Sequence, residues 1–262
     1  MYKLSTINLH LTDKCNYNCK FCFVNKQNHE LSLEQAKYVV DKVKRYFDLN
    51  KMNGRINLVG GEPLCYKNIQ ELIDYINSKN IDVSIVTNAS LLTKKFILDN
   101  KNKLKMIGIS VDSLNRDTNY SIGRCSNQKV LQMNDLIKLC KIIKSQGIKL
   151  KINTCVMKLN LNEDLSSFIK LVQPDRYKIF QVVPDTLFGY QNRISLEEFN
   201  NYLLKYKGIK YKSETSEYMK DNYLIIDSLG KLTINNRHQD GINLLNDDVE
   251  INDCFNEYKE DR

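Results

Sequence analysis

Apolar residues recur along this 262-residue chain in two alternating rhythms, and that alternation limits the fold more than any other feature. From Leu4 to Thr12 the period is two: Ile7, Leu9 and Leu11 share one face, and Asn8, His10 and Thr12 share the other. Ser32-Leu33-Glu34-Gln35 then has the form of a capping box. It opens a helix with Ala36, Val39, Val40, Val43 and Phe47 along one stripe. Strands are predicted over 55–59, 83–86, 106–111, 148–156 and 177–183. Helices are predicted over 69–76 and 94–98, through Val130, Met133, Ile137, Cys140 and Lys144 to a stop at Gly147, and over 165–172. Strands returning through helices favour a parallel sheet with right-handed crossovers. The predicted fold class is α/β, a partial (βα)6 barrel over residues 1–190. Chemistry in such barrels gathers at the C-terminal ends of the strands. Residues 191–262 break the rhythm. Ser195 to Glu198 caps another helix, and 223–227 and 232–234 flank a hairpin turn. This C-terminal extension is expected to pack on the barrel and close the substrate site.

Hydrophobic residues make up 42% and charged residues 27%, which places the chain with globular rather than disordered proteins. It has no apolar run long enough to span a bilayer and no signal-peptide core at its start, so a cytoplasmic location without a membrane partner is expected. The net charge of +8 has two readings, an anionic partner or solvated lysines. No nucleic-acid partner is expected.

Of eight cysteines, Cys65, Cys125, Cys140, Cys155 and Cys254 stand alone and read as small buried apolar residues. The other three form Cys15-Asn16-Tyr17-Asn18-Cys19-Lys20-Phe21-Cys22, directly after the first strand. Three thiolates can hold three irons of a cubane and leave the fourth open to an external ligand, where iron–sulfur clusters usually take four cysteines. Zinc also takes thiolates, but no second pair or histidine partner follows at zinc-site spacing.

This C-x3-C-x2-C loop, with Phe21 before the last cysteine, resembles the radical SAM superfamily. The resemblance implies a barrel of the radical SAM type, a 4Fe–4S cluster on Cys15, Cys19 and Cys22, and S-adenosylmethionine (SAM) on the open iron. One electron then cleaves SAM to a 5′-deoxyadenosyl radical. It implies that Gly60-Gly61-Glu62-Pro63 meets the SAM amino group. Asn88, Ser90 and Ser110, at polar strand ends, would contact its ribose and methionine parts. Tyr17 and Phe21 of the loop, and Arg124, are assigned to the same cofactor site.

The likeness extends over nearly the whole chain to the prokaryotic members of the viperin family. It runs through Asn8 to Thr12, Cys15 to Phe23, Ile56 to Pro63, Ser110 to Ser113, Ile122 to Arg124, Lys151 to Asn153, Arg176 to Gln181 and Tyr223 to Asp227. Viperins dehydrate a ribonucleoside triphosphate, usually CTP, to its 3′-deoxy-3′,4′-didehydro form, an antiviral chain terminator. By resemblance the substrate here is CTP, else UTP or GTP, and the electron donor is a protein such as flavodoxin or ferredoxin. A triphosphate needs converging cations. Lys151 with Asn153, and Arg176 with Lys178, alternate with apolar residues in successive strands. Arg124, read as preceding a helix N-terminus, serves either the phosphates or the SAM carboxylate. Asn8 and His10 lie on the polar face of the first strand. Asn8 either reads the nucleobase or is an ordinary hydrogen-bonded barrel residue. Tyr223 is a proton or hydrogen donor near the ribose, or a packing tyrosine.

Three features depart from the family. The amphipathic N-terminal helix of animal viperins is not matched. Asn88-Ala89-Ser90 and Gly123-Arg124-Cys125 stand where relatives have Asn-Gly-Ser and Gly-Arg-Gly. The chain stops at Asp261-Arg262 without the family's Arg-Gly-Gly and aromatic tail, which implies a shorter lid or a truncated tail. A radical SAM enzyme acting on a peptide or other small-molecule substrate is the alternative, though Cys254 is too little for the cysteine-rich auxiliary domain of many peptide-modifying members. A binding module using the same loop is the other.

Overall fold

The computed structural model describes residues 5–127, 129–219, 223–234 and 241–252. Leu4, Cys254 and the Asp261-Arg262 terminus, named above, lie outside the described residues. The six predicted strands form: β1 (Thr6–His10), β2 (Arg55–Val59), β3 (Asp82–Thr87), β4 (Leu104–Ser110), β5 (Lys149–Val156) and β6 (Arg176–Gln181). They pair in chain order and all in parallel. Between them run α1 (Leu33–Leu49), α2 (Ile69–Ser78), α3 (Lys94–Asp99), α4 (Arg116–Ser121), α5 (Met133–Ser145) and α6 (Ser166–Val172).

The period-two pattern decides which face is buried. Ile7 and Leu9 of β1, with Ile56 and Leu58 of β2, are sealed under the helices. Asn8, His10 and Asn57 face the inside of the curl. The capping box forms as predicted: Ser32 Oγ accepts from Gln35 N–H at 3.1 Å, and Ser32 N–H donates to the Gln35 side chain at 2.9 Å. Ser195 and Glu198 make the same box at the start of a later helix.

The chain beyond β6 adds to both margins of this sheet. After α7 (Leu187–Gln191) and α8 (Leu196–Leu203), β7 (Lys212–Glu214) pairs in parallel with β6. Then β8 (Leu224–Ile226) pairs in parallel with β1 at the opposite margin. The predicted hairpin is formed by β8 and β9 (Lys231–Ile234), and β10 (Ile242–Asn243) follows it. The sheet order β10-β9-β8-β1-β2-β3-β4-β5-β6-β7 is an open, partial barrel of the α/β class.

The stretch after β10 docks on α1. Lys42, fully buried on that helix, donates to the carbonyls of Asn246 at 2.5 Å and Val249 at 2.6 Å. No helix among the described residues is long and apolar enough to cross a membrane.

Candidate active site

At the C-terminal ends of the strands lies a cavity of about 340 Å³. The loop after β1 brings Cys15, Cys19 and Cys22 to its wall, all three as free, partly exposed thiols. Backbone contacts hold that loop. Lys20 N–H donates to Ile122 O at 3.0 Å, and Cys22 N–H to Cys19 O at 3.2 Å. Gly123, at φ +80°, sits so close beneath that a Cβ there would lie 2.0 Å from Asn18 O. Gly61 has the same use on the other side, where a Cβ would lie 2.2 Å from Lys14 O. The two glycines of 60–61 were expected to let backbone approach a ligand. They line the cavity, and their close approach is to the root of the cysteine loop.

The thiols fit an iron–sulfur cluster. Burial pushes Cys19 up to about 11 and raises Cys15. Held as thiols, they become ligands when a cationic centre displaces their protons. Among the described residues no three His, Cys, Asp or Glu groups converge on one ion. Three thiols of one loop that all line the same cavity can each hold one iron of a cubane and leave the fourth iron open to the cavity. Tyr17 N–H points at Cys15 Sγ at 3.4 Å, and Asn88 Nδ2 lies 3.8 Å from it.

The expected SAM contacts divide. Tyr17, Phe21, Gly60, Gly61, Asn88, Ser110 and Arg124 line the cavity; Glu62 and Ser90 do not. Glu62 is fully buried. Its carboxylate accepts from Thr87 Oγ1 at 2.6 Å, Asn88 N–H at 2.8 Å and Leu64 N–H at 3.1 Å. Burial raises its pKa, against those three hydrogen bonds. It ties the end of β2 to the end of β3 and aims Asn88. Ser90 acts likewise, donating to Asn88 Oδ1 at 2.6 Å and accepting from Asn16 Nδ2 at 2.8 Å. Arg124 does not precede a helix: it follows α4, and α5 begins only at Met133. Its charge is met by the buried Asp112, in an ion pair at the cavity wall. Burial would lower the pKa of Arg124, but Asp112 and Cys19 more than offset it. The single cysteines also differ from expectation. Among the described ones only Cys140 is buried, whereas Cys65, Cys125 and Cys155 are partly exposed, and Cys155 lines the cavity.

The comparisons with known proteins agree with this geometry. Residues 9–172, well over half the chain, match the radical SAM superfamily profile. An S-adenosylmethionine-dependent nucleotide dehydratase of Flammeovirga pacifica is 35% identical over 244 residues, 87% of this chain and 81% of that protein. One of Psychrobacter lutiphocae is 34% identical over 254 residues, 90% and 84%. The chain belongs to the S-adenosylmethionine-dependent nucleotide dehydratases of the radical SAM superfamily. Two solved structures share the fold. Streptococcus suis SuiB, bound to precursor peptide SuiA, aligns with a TM-score of 0.74 at 18% identity, over 96% of this chain and 64% of its own. Native anSMEcpe with bound AdoMet and Kp18Cys peptide aligns with a TM-score of 0.71 at 14% identity, over 95% and 80%. The cofactors of this radical SAM chain are a 4Fe–4S cluster and SAM.

The cations assigned to substrate separate into three kinds. Lys151 lines the cavity and has no ion-pair partner among the described residues. Burial, then Lys178 and Arg176, lower its pKa to about 7. Beside it Asn153 Oδ1 is buried without a hydrogen-bond partner. Lys178 is buried but already engaged: its Nζ donates to Glu214 Oε1 at 2.5 Å and to Tyr223 OH at 3.0 Å. Arg176 begins β6, is exposed, and does not line the cavity. It stands level with Lys151 of β5, yet its side chain is exposed where that of Lys151 lines the cavity. Asn8, His10 and Tyr223 all line the cavity.

Sequence reading missed Asp112, Glu214 and Asn57. Asp112 stands in the matched Ser110-Val111-Asp112-Ser113 stretch, where an acid beside an expected arginine was a usable signal. Glu214 sits in a strand of three residues, too short for a periodicity to show it.

Proposed function

We propose that this chain dehydrates a ribonucleoside triphosphate, CTP by preference, to the 3′-deoxy-3′,4′-didehydro nucleotide, an antiviral chain terminator. One observation carries the reading. A single cavity holds three cluster-type thiols at its rim and, deeper in the barrel, a half-buried Lys151 with no ion-pair partner among the described residues. A cation partly withdrawn from water without a counter-charge is costly, and a polyanion is the partner that offsets it.

Bound on Cys15, Cys19 and Cys22, a 4Fe–4S cluster carrying SAM supplies a 5′-deoxyadenosyl radical when a one-electron donor such as flavodoxin or ferredoxin reduces it. The protein's own groups do the rest. Asn88 and Ser110 orient SAM from the ends of β3 and β4, and Arg124 faces its carboxylate. Lys151 binds the phosphates, with Asn153 accepting at its unpaired oxygen only from a donor such as a ribose hydroxyl. Lys178 joins Lys151 when it turns from Glu214. Tyr223 holds a proton at its phenol oxygen, kept there by burial and by Glu214, within the same cavity. Phe21 and Phe23 supply apolar wall to the cavity near the cysteines. Asn8 faces the nucleobase, with His10 beside it. Residues 191–262, which supply β7, Tyr223 and β8, close the site.

The test is anaerobic. Reconstituted, reduced protein is incubated with SAM and CTP, UTP or GTP in turn. One triphosphate should stimulate 5′-deoxyadenosine release and yield a product lighter by one water. No stimulation by any nucleotide would sink the dehydratase reading.

A further inference from the structure

Asn8, Asn57 and Ser84 stand level on three neighbouring strands: the register pairs Asn8 with Asn57 and Asn57 with Ser84. Their side chains are joined in one direction. Ser84 Oγ donates to Asn57 Oδ1 at 2.9 Å, and Asn57 Nδ2 donates to Asn8 Oδ1 at 2.8 Å. Ser84 is buried, while Asn57 and Asn8 reach the cavity. A primary amide has a donor end and an acceptor end of nearly the same shape, so only its partners decide which end faces where. With the Asn8 oxygen turned to Asn57, the end left for the cavity is the NH2.

We propose that Asn57 and Ser84 are positioning residues for base selection: they fix the rotation of the Asn8 amide so that it offers hydrogen-bond donors to the base. This rests on the reading that a nucleotide binds with its base toward β1. Cytosine and uracil differ at N3, a bare acceptor in cytosine and an N–H donor in uracil, and in the opposite sense at C4, an amino donor in cytosine and a carbonyl acceptor in uracil; the proposal sets N3 against Asn8. There a donor-presenting Asn8 pairs with cytosine and opposes uracil donor to donor. Sites built to hydrogen-bond a substrate reject analogues that leave a buried polar group unpaired. The ladder therefore favours CTP over UTP, and it does so from a strand away from the base.

The test is a competition. Reconstituted enzyme is given SAM, reductant and equal CTP and UTP, and the two dehydrated products are quantified by mass. Wild type should favour the cytidine product by tenfold or more. Ser84→Ala frees the Asn57 and Asn8 amides to rotate, and the ratio should fall at least fivefold. Ser84→Thr keeps the hydroxyl and should restore it to within twofold. Should Ser84→Ala not load a cluster, Asn57→Asp serves instead. An acceptor at both oxygens draws the Asn8 NH2 toward itself, exposes its oxygen, and should lower the ratio at least tenfold. A wild-type ratio in the folded variants overturns the inference, as does a wild type that favours uridine. Absence of nucleotide-stimulated SAM cleavage in wild type overturns the dehydratase reading itself, which the product ratio cannot do.

Discussion

Lys178 and Glu214 form an ion pair, Nζ to Oε1 at 2.5 Å, buried between β6 and β7. Glu214 also accepts from the phenol of Tyr223, which leads into β8 at the other margin of the parallel run. One carboxylate thus joins the two margins of the open barrel. Removing one partner of a buried pair strands the other charge, at a cost of about 3–5 kcal/mol. Glu214→Ala is expected to lose stability of that order in urea titration, and Glu214→Gln less. Burial would raise the pKa of Glu214, but the hydrogen bonds from Lys178 and Tyr223 hold it below the ordinary carboxylate value. A carboxyl depressed in the folded state binds fewer protons there than when unfolded. Its contribution is therefore present above the unfolded pKa, about 4.3, and lost as pH falls through the folded value. The Glu214→Ala penalty should shrink in acid; a penalty constant with pH would show that the charge is not what holds the seam.

Lys151 makes nucleotide binding depend on pH in the opposite sense. Its pKa of about 7 in the free protein leaves much of it neutral above neutrality. A bound triphosphate favours the ammonium and raises that pKa, so binding takes up a proton. Affinity should fall as pH rises from 7 to 9, by up to about tenfold per unit, the most one proton allows. Lys151→Arg stays charged throughout and should flatten the profile while keeping binding. Calorimetric titration with CTP checks both. A wild-type profile as flat as that of Lys151→Arg would place this lysine away from the phosphates.

The order of six strands and the position of the cysteine loop were legible in sequence because both are local. Ile7, Leu9 and Leu11 mark a strand face by themselves, and three cysteines within one loop need no tertiary information. Partners distant in sequence were not legible. Lys178 reads as an inward cation awaiting a ligand, and only the fold shows Glu214 beside it. Arg176 shares the face of Lys178 by period, yet period does not show that the first residue of the strand stays exposed while Lys151, level with it, reaches the cavity. Glu62 looks like a ligand contact from its turn, but its three hydrogen bonds come from β3 and from the turn itself. Lys42 is the sharpest case. A lysine within an apolar helix face has no sequence rationale until the carbonyls of Asn246 and Val249 appear above it.

The cysteines make a selective prediction. Ala substitution of Cys15, Cys19 or Cys22 removes a ligand from an iron and should abolish the cluster's visible absorbance and iron content. Cys155 shares the cavity but lies on β5 rather than on the loop, and burial holds it as a thiol. Cys155→Ala should load iron as wild type does. Iron loss in that variant would make it a ligand and redraw the site.

Ala89 gives a prediction about strain. It takes φ +65° in the turn after β3, a conformation that glycine adopts without a Cβ penalty. Among the described residues, three of the other five non-glycine residues at positive φ are asparagines, whose short polar side chains ease that region; alanine has no such help. The left-handed conformation costs an alanine about 1–2 kcal/mol, and glycine loses back about 0.5–1 through its freer unfolded chain. Ala89→Gly should therefore stabilise the protein by about 0.5–1 kcal/mol in urea titration. The change leaves the Ala89 N–H on Thr87 Oγ1 at 3.0 Å, so Asn88 keeps its place and the KM for SAM should not move. A destabilised variant would mean that the buried methyl of Ala89 contributes more by packing than its backbone costs in strain.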